Sequence, residues 1–279
     1  MDSYLKNILV IDLAKKEADL KTFTDLKEYI GGVGVGTKLY SLYEDQKPLI
    51  FSIGPLNGFF PFASKTSIIL NSEDGIEDLY LGGSLSYRMR FAGIDSIMFL
   101  GKSKSPVVID IMDGNVTFHD AEISLGTLGL PGKRSTLSLL SKLTLDEYFE
   151  PPEDLLEKEF YNKKIKGIVI TGTKSYEVSD FEKYSELYKK ILEKSSELSI
   201  SKSDKPSCSG CPMGCDFSRT GEIGGNILVH CMVGCSYAQN VYSDVGTIFS
   251  CLNVLGYDYT HEDLENAPKK ISEIFEQIS

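Results

Sequence analysis

The chain has 279 residues, of which 42% are hydrophobic and 25% charged, a composition typical of a globular protein that excludes the disordered and low-complexity classes. Its formal net charge of −11 at pH 7 argues against a nucleic-acid partner, because a protein that binds phosphate backbones needs a net basic surface. No apolar stretch approaches the roughly 20 residues that cross a bilayer, and Asp12 interrupts the first apolar run, so we expect a cytoplasmic protein with no membrane contact and no signal peptide.

The first 175 residues have the pattern of a β-rich region, in which short β-branched apolar runs are separated by Gly, Pro, Asn and Asp. Asp113-Gly114-Asn115 lies between two such runs and predicts a hairpin. Short helices are expected between the strands, at 25–30, from residue 36 onward and at 84–91. The predicted strands are 7–12, 49–53, 67–71, 96–101, 107–112, 116–119 and 167–171.

The pattern changes after residue 175, where apolar residues recur every three and four positions, as on an amphipathic helix. Ser179-Asp180 supplies an N-cap for the first helix, and Thr260 with Asp263 resembles a capping box that opens the last one. The predicted helices are 180–199, 245–255 and 260–278. The sequence therefore predicts the α+β class, with a β-rich N-terminal domain at 1–175 and a helical part at 176–279.

All six cysteines lie in the last quarter of the chain, at positions 208, 211, 215, 231, 235 and 251. Because a secreted disulfide framework would spread over the whole fold, this clustering favours metal or cluster binding. Cys208-Ser-Gly-Cys211-Pro-Met-Gly-Cys215 puts three thiolates within eight residues, and this spacing suits three corners of a [4Fe–4S] cube. Two alternatives stay open: a structural zinc completed by a fourth cysteine or by His230, and reduced cysteines that only pack.

One corner of such a cube needs a further ligand, which Cys231 or Cys235 can supply. These two cysteines are four positions apart and would share a helix face if their segment were helical. Cys251 lies on the predicted helix 245–255, and we assign it to packing.

Three loops are candidates for binding a phosphate group. Gly31-Gly-Val-Gly-Val-Gly36 matches a dinucleotide-binding loop only in part, because a predicted helix rather than a strand precedes it, and a tight turn between two helices is the alternative. Residues 54–66, which include Lys65, and residues 81–93, which include Gly82-Gly83, could hold a phosphate through amides at a helix N-terminus or be plain loops.

Taken in their order along the chain, these segments resemble the aldehyde:ferredoxin oxidoreductase family of tungstopterin enzymes. The resemblance runs from the N-terminal glycine motif to the region after the cysteines. The matching motifs are Tyr-Ile-Gly-Gly-x-Gly-x-Gly at 29–36, Gly-Pro-Leu-x-Gly and Pro-x-x-Ser-Lys-Thr within 54–66, Gly-Gly-Ser and Arg-Phe-Ala-Gly-x-Asp within 82–95, Lys-Ile-Lys-Gly-Ile-Val-Ile-Thr-Gly at 164–172, the cysteine box at 208–215, and Leu-Gly-x-Asp at 255–258.

The resemblance implies a pair of β-sheets that forms the base for a tungsten or molybdenum bis-pterin cofactor, next to a helical domain whose cysteines carry a [4Fe–4S] cluster. In such a centre an aldehyde is oxidised to an acid, and the electrons leave through the cluster. No catalytic residue of this chain is assigned. The implied site residues are Gly32, Gly34, Lys65, Gly82 and Gly83 for the pterin, and Cys208, Cys211 and Cys215 with Cys231 or Cys235 for the metal cluster.

Several positions depart from the family pattern. Lys65 stands where the family has Arg, Tyr80 where it has Asn, and Asn226-Ile-Leu228 where it has an acidic stretch thought to lie near tungsten. The pterin loop before the strand at 164–172 has shrunk to the glycine-free 157–163, and the chain stops before the family's third domain, which supplies a catalytic His and the fourth cluster cysteine. We therefore expect an aldehyde:ferredoxin oxidoreductase-like redox protein that is not catalytic as an isolated chain.

Two other functions stay open: a non-catalytic electron-transfer or scaffold subunit that pairs with a catalytic chain, and a structural zinc protein. The expected partners are ferredoxin or another redox chain, in a homo- or hetero-oligomer. We expect an exposed apolar face for such a partner, formed by Phe59, Phe60, Phe62 and Met213. The alternative is that the three phenylalanines fold back into the core of their own loop.

Overall fold

The computed structural model describes residues 4–73, 75–198, 200, 202–204, 208–215, 217 and 219–278. Within these residues the chain forms two mixed β-sheets, of seven and five strands, with three α-helices among the strands and four after residue 180. The predicted α+β class and the pair of sheets are confirmed.

The strands follow one another through the first 171 residues, and one short strand comes later. In chain order they are β1 (Lys6–Asp12), β2 (Glu17–Phe23), β3 (Leu49–Ser52), β4 (Thr66–Asn71), β5 (Ile76–Leu81), β6 (Ser96–Leu100), β7 (Val107–Met112), β8 (Asn115–Asp120), β9 (Arg134–Leu139), β10 (Leu143–Leu145), β11 (Ile165–Thr171) and β12 (Glu222–Ile223).

The helices lie mainly on one side of the first sheet. The α-helices are α1 (Gly32–Leu42), α2 (Leu85–Ala92), α3 (Leu155–Lys163), α4 (Phe181–Glu193), α5 (Ile227–Cys231), α6 (Val245–Val254) and α7 (His261–Ile278). Shorter 3-10 helices span Lys27–Tyr29, Glu44–Gln46, Leu125–Thr127, Lys194–Glu197 and Ser236–Val241. Among the described residues, every helix is too short or too polar to cross a membrane.

The seven-stranded sheet has the order β12-β5-β4-β3-β6-β1-β2, and the five-stranded sheet has the order β10-β9-β11-β7-β8. Only the pairs β1–β6 and β7–β11 are parallel among the described strands. The hairpin predicted at Asp113-Gly114 joins β7 to β8, where both residues have positive φ angles of 48° and 93°. If the glycine motif were a dinucleotide-binding loop, it would belong to an open parallel sheet, and this mixed topology differs from such a sheet.

The alternation of apolar residues in the central strands divides the interior into two cores. In β1, Ile8 and Val10 face one apolar cluster, which fills the space between the first sheet and the helices. Leu9 and Ile11 face the other cluster, which joins the inner faces of the two sheets. Strands that are apolar on both faces are therefore central, as expected for a sheet covered on both sides.

Local signals explain why the helices begin where they do. The Asp180 carboxylate accepts a hydrogen bond from the Lys183 N–H at 3.0 Å and caps α4. The Thr260 hydroxyl accepts from the Asp263 N–H at 3.1 Å, and the Asp263 carboxylate accepts from the Thr260 N–H at 2.8 Å, so the predicted capping box of α7 is confirmed. The predicted helix over 180–199 ends earlier, because α4 stops at Glu193 and a 3-10 turn follows.

Three segments differ from their predictions. Residues 32–36 form the first turn and a half of α1 rather than a turn between two helices, and only Lys27–Tyr29 of the predicted helix 25–30 is helical. The glycine-free stretch 157–163, interpreted as a shrunken loop, lies entirely within α3. The domain boundary at residue 175 stays a prediction, although β12 extends the first sheet through β5 and so ties the helical part to it.

Candidate functional site

The cysteine box forms a tight loop beside the edge of the first sheet. The Cys211 N–H donates to the Cys208 carbonyl at 2.9 Å, and Gly210 and Gly214 have φ angles of +68° and +54°, a backbone conformation that favours glycine. Cys208 and Cys215 are each 7% exposed, while Cys211 is half-buried. The loop therefore carries three thiols, two of them buried and one half-buried.

The thiols of Cys208 and Cys215 lie close enough to that of Cys211 to influence its protonation. Burial raises the pKa of the Cys211 thiol to about 11, and the thiols of Cys208 and Cys215 act in the same direction, against the Met213 N–H and the Lys65 ammonium. None of the described cysteines forms a disulfide. Three thiols in one short loop with an ammonium nearby are donors of the kind that ligate an iron–sulfur cluster, because such a cluster requires thiolates and a compensating charge.

A single metal ion imposes a different geometry, in which all ligands converge on one point. Across the described residues, no three His, Cys, Asp or Glu side chains are arranged around one point in this way. His230, a ligand in the zinc alternative, is buried and stacks on Tyr80 with ring centroids 3.7 Å apart. Its Nε2 lies 2.7 Å from the Gly224 carbonyl oxygen and 3.0 Å from the Ser236 hydroxyl.

A buried ion pair lies beside the cysteine loop. The Lys65 Nζ is 3.0 Å from Oε1 of Glu222, and the two side chains are 1% and 4% exposed. Burial alone would lower the pKa of Lys65, but Cys208, Glu222 and Cys235 outweigh it and hold the ammonium charged. The other carboxylate oxygen of Glu222 accepts from the Ser236 N–H at 2.7 Å.

The predicted anion site at Gly82-Gly83 is filled by the chain itself. A Cβ at Gly82 would lie 2.6 Å from Sγ of Cys208, and one at Gly83 would lie 2.6 Å from a methyl carbon of Leu145. The Asp146 carboxylate accepts from the Ser84 N–H at 3.1 Å and from the Ser84 hydroxyl at 2.6 Å, at the start of α2. The position that an external phosphate would take therefore holds an internal carboxylate.

The glycines at the start of α1 also face the chain's own backbone. A Cβ at Gly32 would lie 2.2 Å from the His230 carbonyl oxygen, and one at Gly34 would lie 2.2 Å from the Tyr29 carbonyl oxygen. Gly54, in the loop before Lys65, meets the Cys231 carbonyl in the same way, at 2.4 Å. On the side that a Cβ would occupy, each of the four glycines assigned to pterin binding therefore meets protein, and Lys65 is paired with Glu222, an arrangement that argues against a pterin there.

Cys231 and Cys235 do not share a helix face, because their segment is not one continuous helix. α5 ends at Cys231, and Cys235 follows in extended backbone with φ −81° and ψ 135°. Cys231 is fully buried and receives a hydrogen bond from the Gly34 N–H, whereas Cys235 lies on the side of Lys65. The helix ends because Val233, between them, has a φ of +55°, so that the Gly234 N–H bonds back to the Val229 carbonyl at 2.9 Å.

The expected exposed apolar face is also wrong, and the alternative is confirmed. Phe59, Phe60, Phe62 and Met213 are 8%, 2%, 1% and 7% exposed. The Phe60 ring packs against Tyr184 and Tyr188 of α4, and the Phe59 ring against Tyr176. A different pair of rings is exposed beside the cysteines: Phe217 and Tyr237 stack with centroids 3.7 Å apart, and they are 40% and 37% exposed.

Sequence reasoning did not identify three residues of this site. Glu222 and Asp146 act as internal anions, and the Tyr87 hydroxyl lies against Gly210, where a Cβ would come within 1.6 Å of it. The one available signal was the position of Glu222 in Gly221-Glu-Ile-Gly-Gly225, an acidic residue among glycines. Asp146 and Tyr87 have no such local signature.

Comparison with known proteins identifies relatives for most of the chain. The family model described as the N-terminal domain of aldehyde ferredoxin oxidoreductase matches residues 8–170. A Pyrococcus furiosus protein described as an aliphatic sulfonate oxidoreductase, WOR-like subunit, is 30% identical over 184 residues, which cover 60% of this chain and 27% of that protein. The tungsten-containing aldehyde ferredoxin oxidoreductase of Pyrococcus horikoshii is 27% identical over 233 residues, covering 70% and 37%.

A solved structure shares the fold. The active site complex BamBC of benzoyl coenzyme A reductase with 1,5-dienoyl-CoA superimposes with a TM-score of 0.58 at 20% identity, over 71% of this chain and 35% of that one. The chain thus spans between 27% and 37% of the length of these relatives.

Proposed function

The chain belongs to the aldehyde ferredoxin oxidoreductase family, and from that premise we propose that it is a redox subunit that carries a [4Fe–4S] cluster on Cys208, Cys211 and Cys215. In this proposal it exchanges electrons with a separate chain and holds no tungstopterin of its own. A bound cluster supplies one-electron transfer, and the protein around it sets the potential and the access of solvent.

The observation that carries the proposal is the arrangement of the three thiols. Their loop is buried and fixed by two glycines with positive φ angles, and a lysine ammonium lies beside it. Glu222 compensates the buried charge of Lys65. The same ammonium also favours negative charge on the neighbouring Cys211 and Cys235 sulfurs, which suits thiolate ligands.

We propose that the chain holds no tungstopterin because its own carboxylates already occupy the groups that would bind one. Glu222 is paired with Lys65, the cation for a cofactor phosphate, and the Asp146 carboxylate accepts a hydrogen bond at the start of α2. Catalysis by the tungstopterin would then belong to a partner chain. One relative is itself described as a subunit, and the similar solved structure is described as an active site complex, which supports an assembly of this kind.

We propose ferredoxin or another redox chain as the electron partner, at the surface where Phe217 and Tyr237 are exposed. Phe217 lies two residues after Cys215, and Tyr237 lies two residues after Cys235, so a partner on these rings would approach the cysteines closely. Clustered thiols also favour a reducing compartment, and we propose the cytoplasm.

The test is anaerobic purification followed by analysis of iron, sulfide, zinc, tungsten and molybdenum, with EPR after reduction. We expect about four irons and four sulfides per chain and a reduced [4Fe–4S] signal, with neither tungsten nor molybdenum. Cys208→Ala should lose the iron, whereas the matched variant Cys251→Ala, in the core of α6, should keep it.

Three results would overturn the proposal. One zinc per chain without sulfide would establish the structural-metal alternative. Stoichiometric tungsten with aldehyde-dependent viologen reduction by the isolated chain would establish a complete enzyme. Protein without metal that nevertheless binds a catalytic chain would establish a scaffold.

A further inference from the structure

A [4Fe–4S] cluster needs four ligands, and the cysteine box provides three. The two remaining candidates, Cys231 and Cys235, lie in different surroundings. Cys231 ends α5, is fully buried against α1, and receives the Gly34 N–H. Its side chain belongs to the apolar core between the first sheet and the helices, where a buried cysteine packs as a small hydrophobic residue.

Cys235 lies instead against the segment 62–65, which carries Lys65 and leads into β4. The Cys235 N–H donates to the Phe62 carbonyl at 3.2 Å, and the Lys65 N–H donates to the Val233 carbonyl at 3.2 Å, so the segment 233–235 runs alongside 62–65. The next residue is fixed as well, because the Ser236 N–H donates to Glu222, the ion-pair partner of Lys65.

The same cation reaches the cysteine box. A Cβ built on Gly82 would lie 2.6 Å from Sγ of Cys208 and 3.7 Å from Nζ of Lys65. The sulfur and the ammonium are therefore close to the same point. On the other side, the stacked rings of Phe217 and Tyr237 bring residues 235–237 next to the end of the box. These contacts place the segment that holds Cys235 beside Lys65 and beside the end of the cysteine box.

The position of the buried cation also separates the two candidates. A thiolate in a buried site is stable only with a compensating positive charge. Burial raises the pKa of both thiols, so position separates them. Lys65 lies beside Cys208 and alongside the segment that holds Cys235, whereas Cys231 ends α5 and packs against α1. Cys235 is therefore the candidate that shares a buried cation with the cysteine box.

We propose that Cys235 is the fourth cluster ligand, so that one chain closes the cluster with thiolates from 208, 211, 215 and 235. The inference rests on the proposed function, since it presupposes the cluster. On ligation the S–H bond of Cys235 is replaced by an S–Fe bond and one proton leaves to solvent. Lys65 is then a positioning residue that neutralises the ligand charge without touching iron.

The experiment compares Cys235→Ala with Cys231→Ala and Cys251→Ala, all purified anaerobically. With three thiolates left, the Cys235 variant should lose one iron on mild oxidation and give the EPR signal of a [3Fe–4S] cluster. The wild type and the other two variants should keep about four irons per chain. Far-UV circular dichroism monitors the fold of each variant.

A second measurement needs no substitution. Iodoacetamide with mass spectrometry should leave 208, 211, 215 and 235 unmodified in the loaded wild type and modify all four after iron chelation, while Cys231 stays unmodified throughout. Iron loss in the Cys231 variant with a stable Cys235 variant would overturn the assignment, as would Cys235 alkylation in the loaded protein. A wild type without any cluster would overturn the proposed function itself, so the two failures are distinguishable.

Discussion

Replacing Lys65 by Met tests the buried ion pair by leaving the Glu222 carboxylate without its cation. At the observed 3.0 Å and an effective dielectric constant of 20, the attraction between the two charges is about 5–6 kcal/mol. Desolvation offsets much of this, but removal of one partner from a buried pair costs about 3–5 kcal/mol, because the other charge stays buried. With an unfolding entropy of roughly 2.1 cal/mol/K per residue, the midpoint should fall by about 5–9 °C.

The assay is thermal unfolding monitored by circular dichroism, with and without an iron chelator. The comparison separates the stability lost with a released cofactor from the stability lost with the ion pair. Lys183→Met is the matched control, because its pair with Asp180 is exposed and should contribute less than about 1 kcal/mol. The double variant Lys65→Met/Glu222→Gln should recover more than half of the loss. A single variant as stable as the control would refute the reasoning.

Three further changes follow from the same site. Gly82→Ala places a methyl group 2.6 Å from the Cys208 sulfur, so iron content should fall by at least half, while Gly246→Ala, whose Cβ meets its nearest neighbour at 3.5 Å, should leave iron unchanged. Asp146→Asn removes the carboxylate at the start of α2 and should lower the free energy of unfolding by about 1–2 kcal/mol in urea titrations, and an unchanged midpoint would contradict this. Burial would raise the pKa of Glu222, but its cation and the Ser236 N–H hold it below the ordinary value of 4.5. A lowered pKa contributes stability above pH 4.5 that is lost as the pH falls, so Glu222→Gln should flatten the loss of stability between pH 5 and pH 3, and equal slopes for both proteins would count against it.

The fold was largely predictable because its signals are local. Alternating apolar residues mark the buried strands, and the capping box at Thr260 marks the start of the last helix. β2 was missed because both of its faces are exposed at a sheet edge, so its residues have no apolar alternation. α1 was misplaced because glycine disfavours helices, whereas here close packing against 230–231 requires it.

The candidate site was predictable only where its residues are neighbours in sequence. The spacing of Cys208, Cys211 and Cys215 is visible in eight residues. The pairing of Lys65 with Glu222 joins two distant segments through the register of β12 on β5, and no local pattern encodes that register. Which of Cys231 and Cys235 lies beside Lys65 depends on the bend after α5, and no sequence pattern predicts that bend.

The pairing of β12 with β5 sets an order of folding events. Residue 222 pairs with residue 80 only after the long chain segment between them has closed into a loop. Such a contact forms late, because loop closure costs conformational entropy before the contact contributes any stability. Until then the β5 edge has unsatisfied backbone groups that can recruit a strand from another molecule. Substitutions that weaken the pairing of β12 with β5 should therefore increase aggregation during refolding.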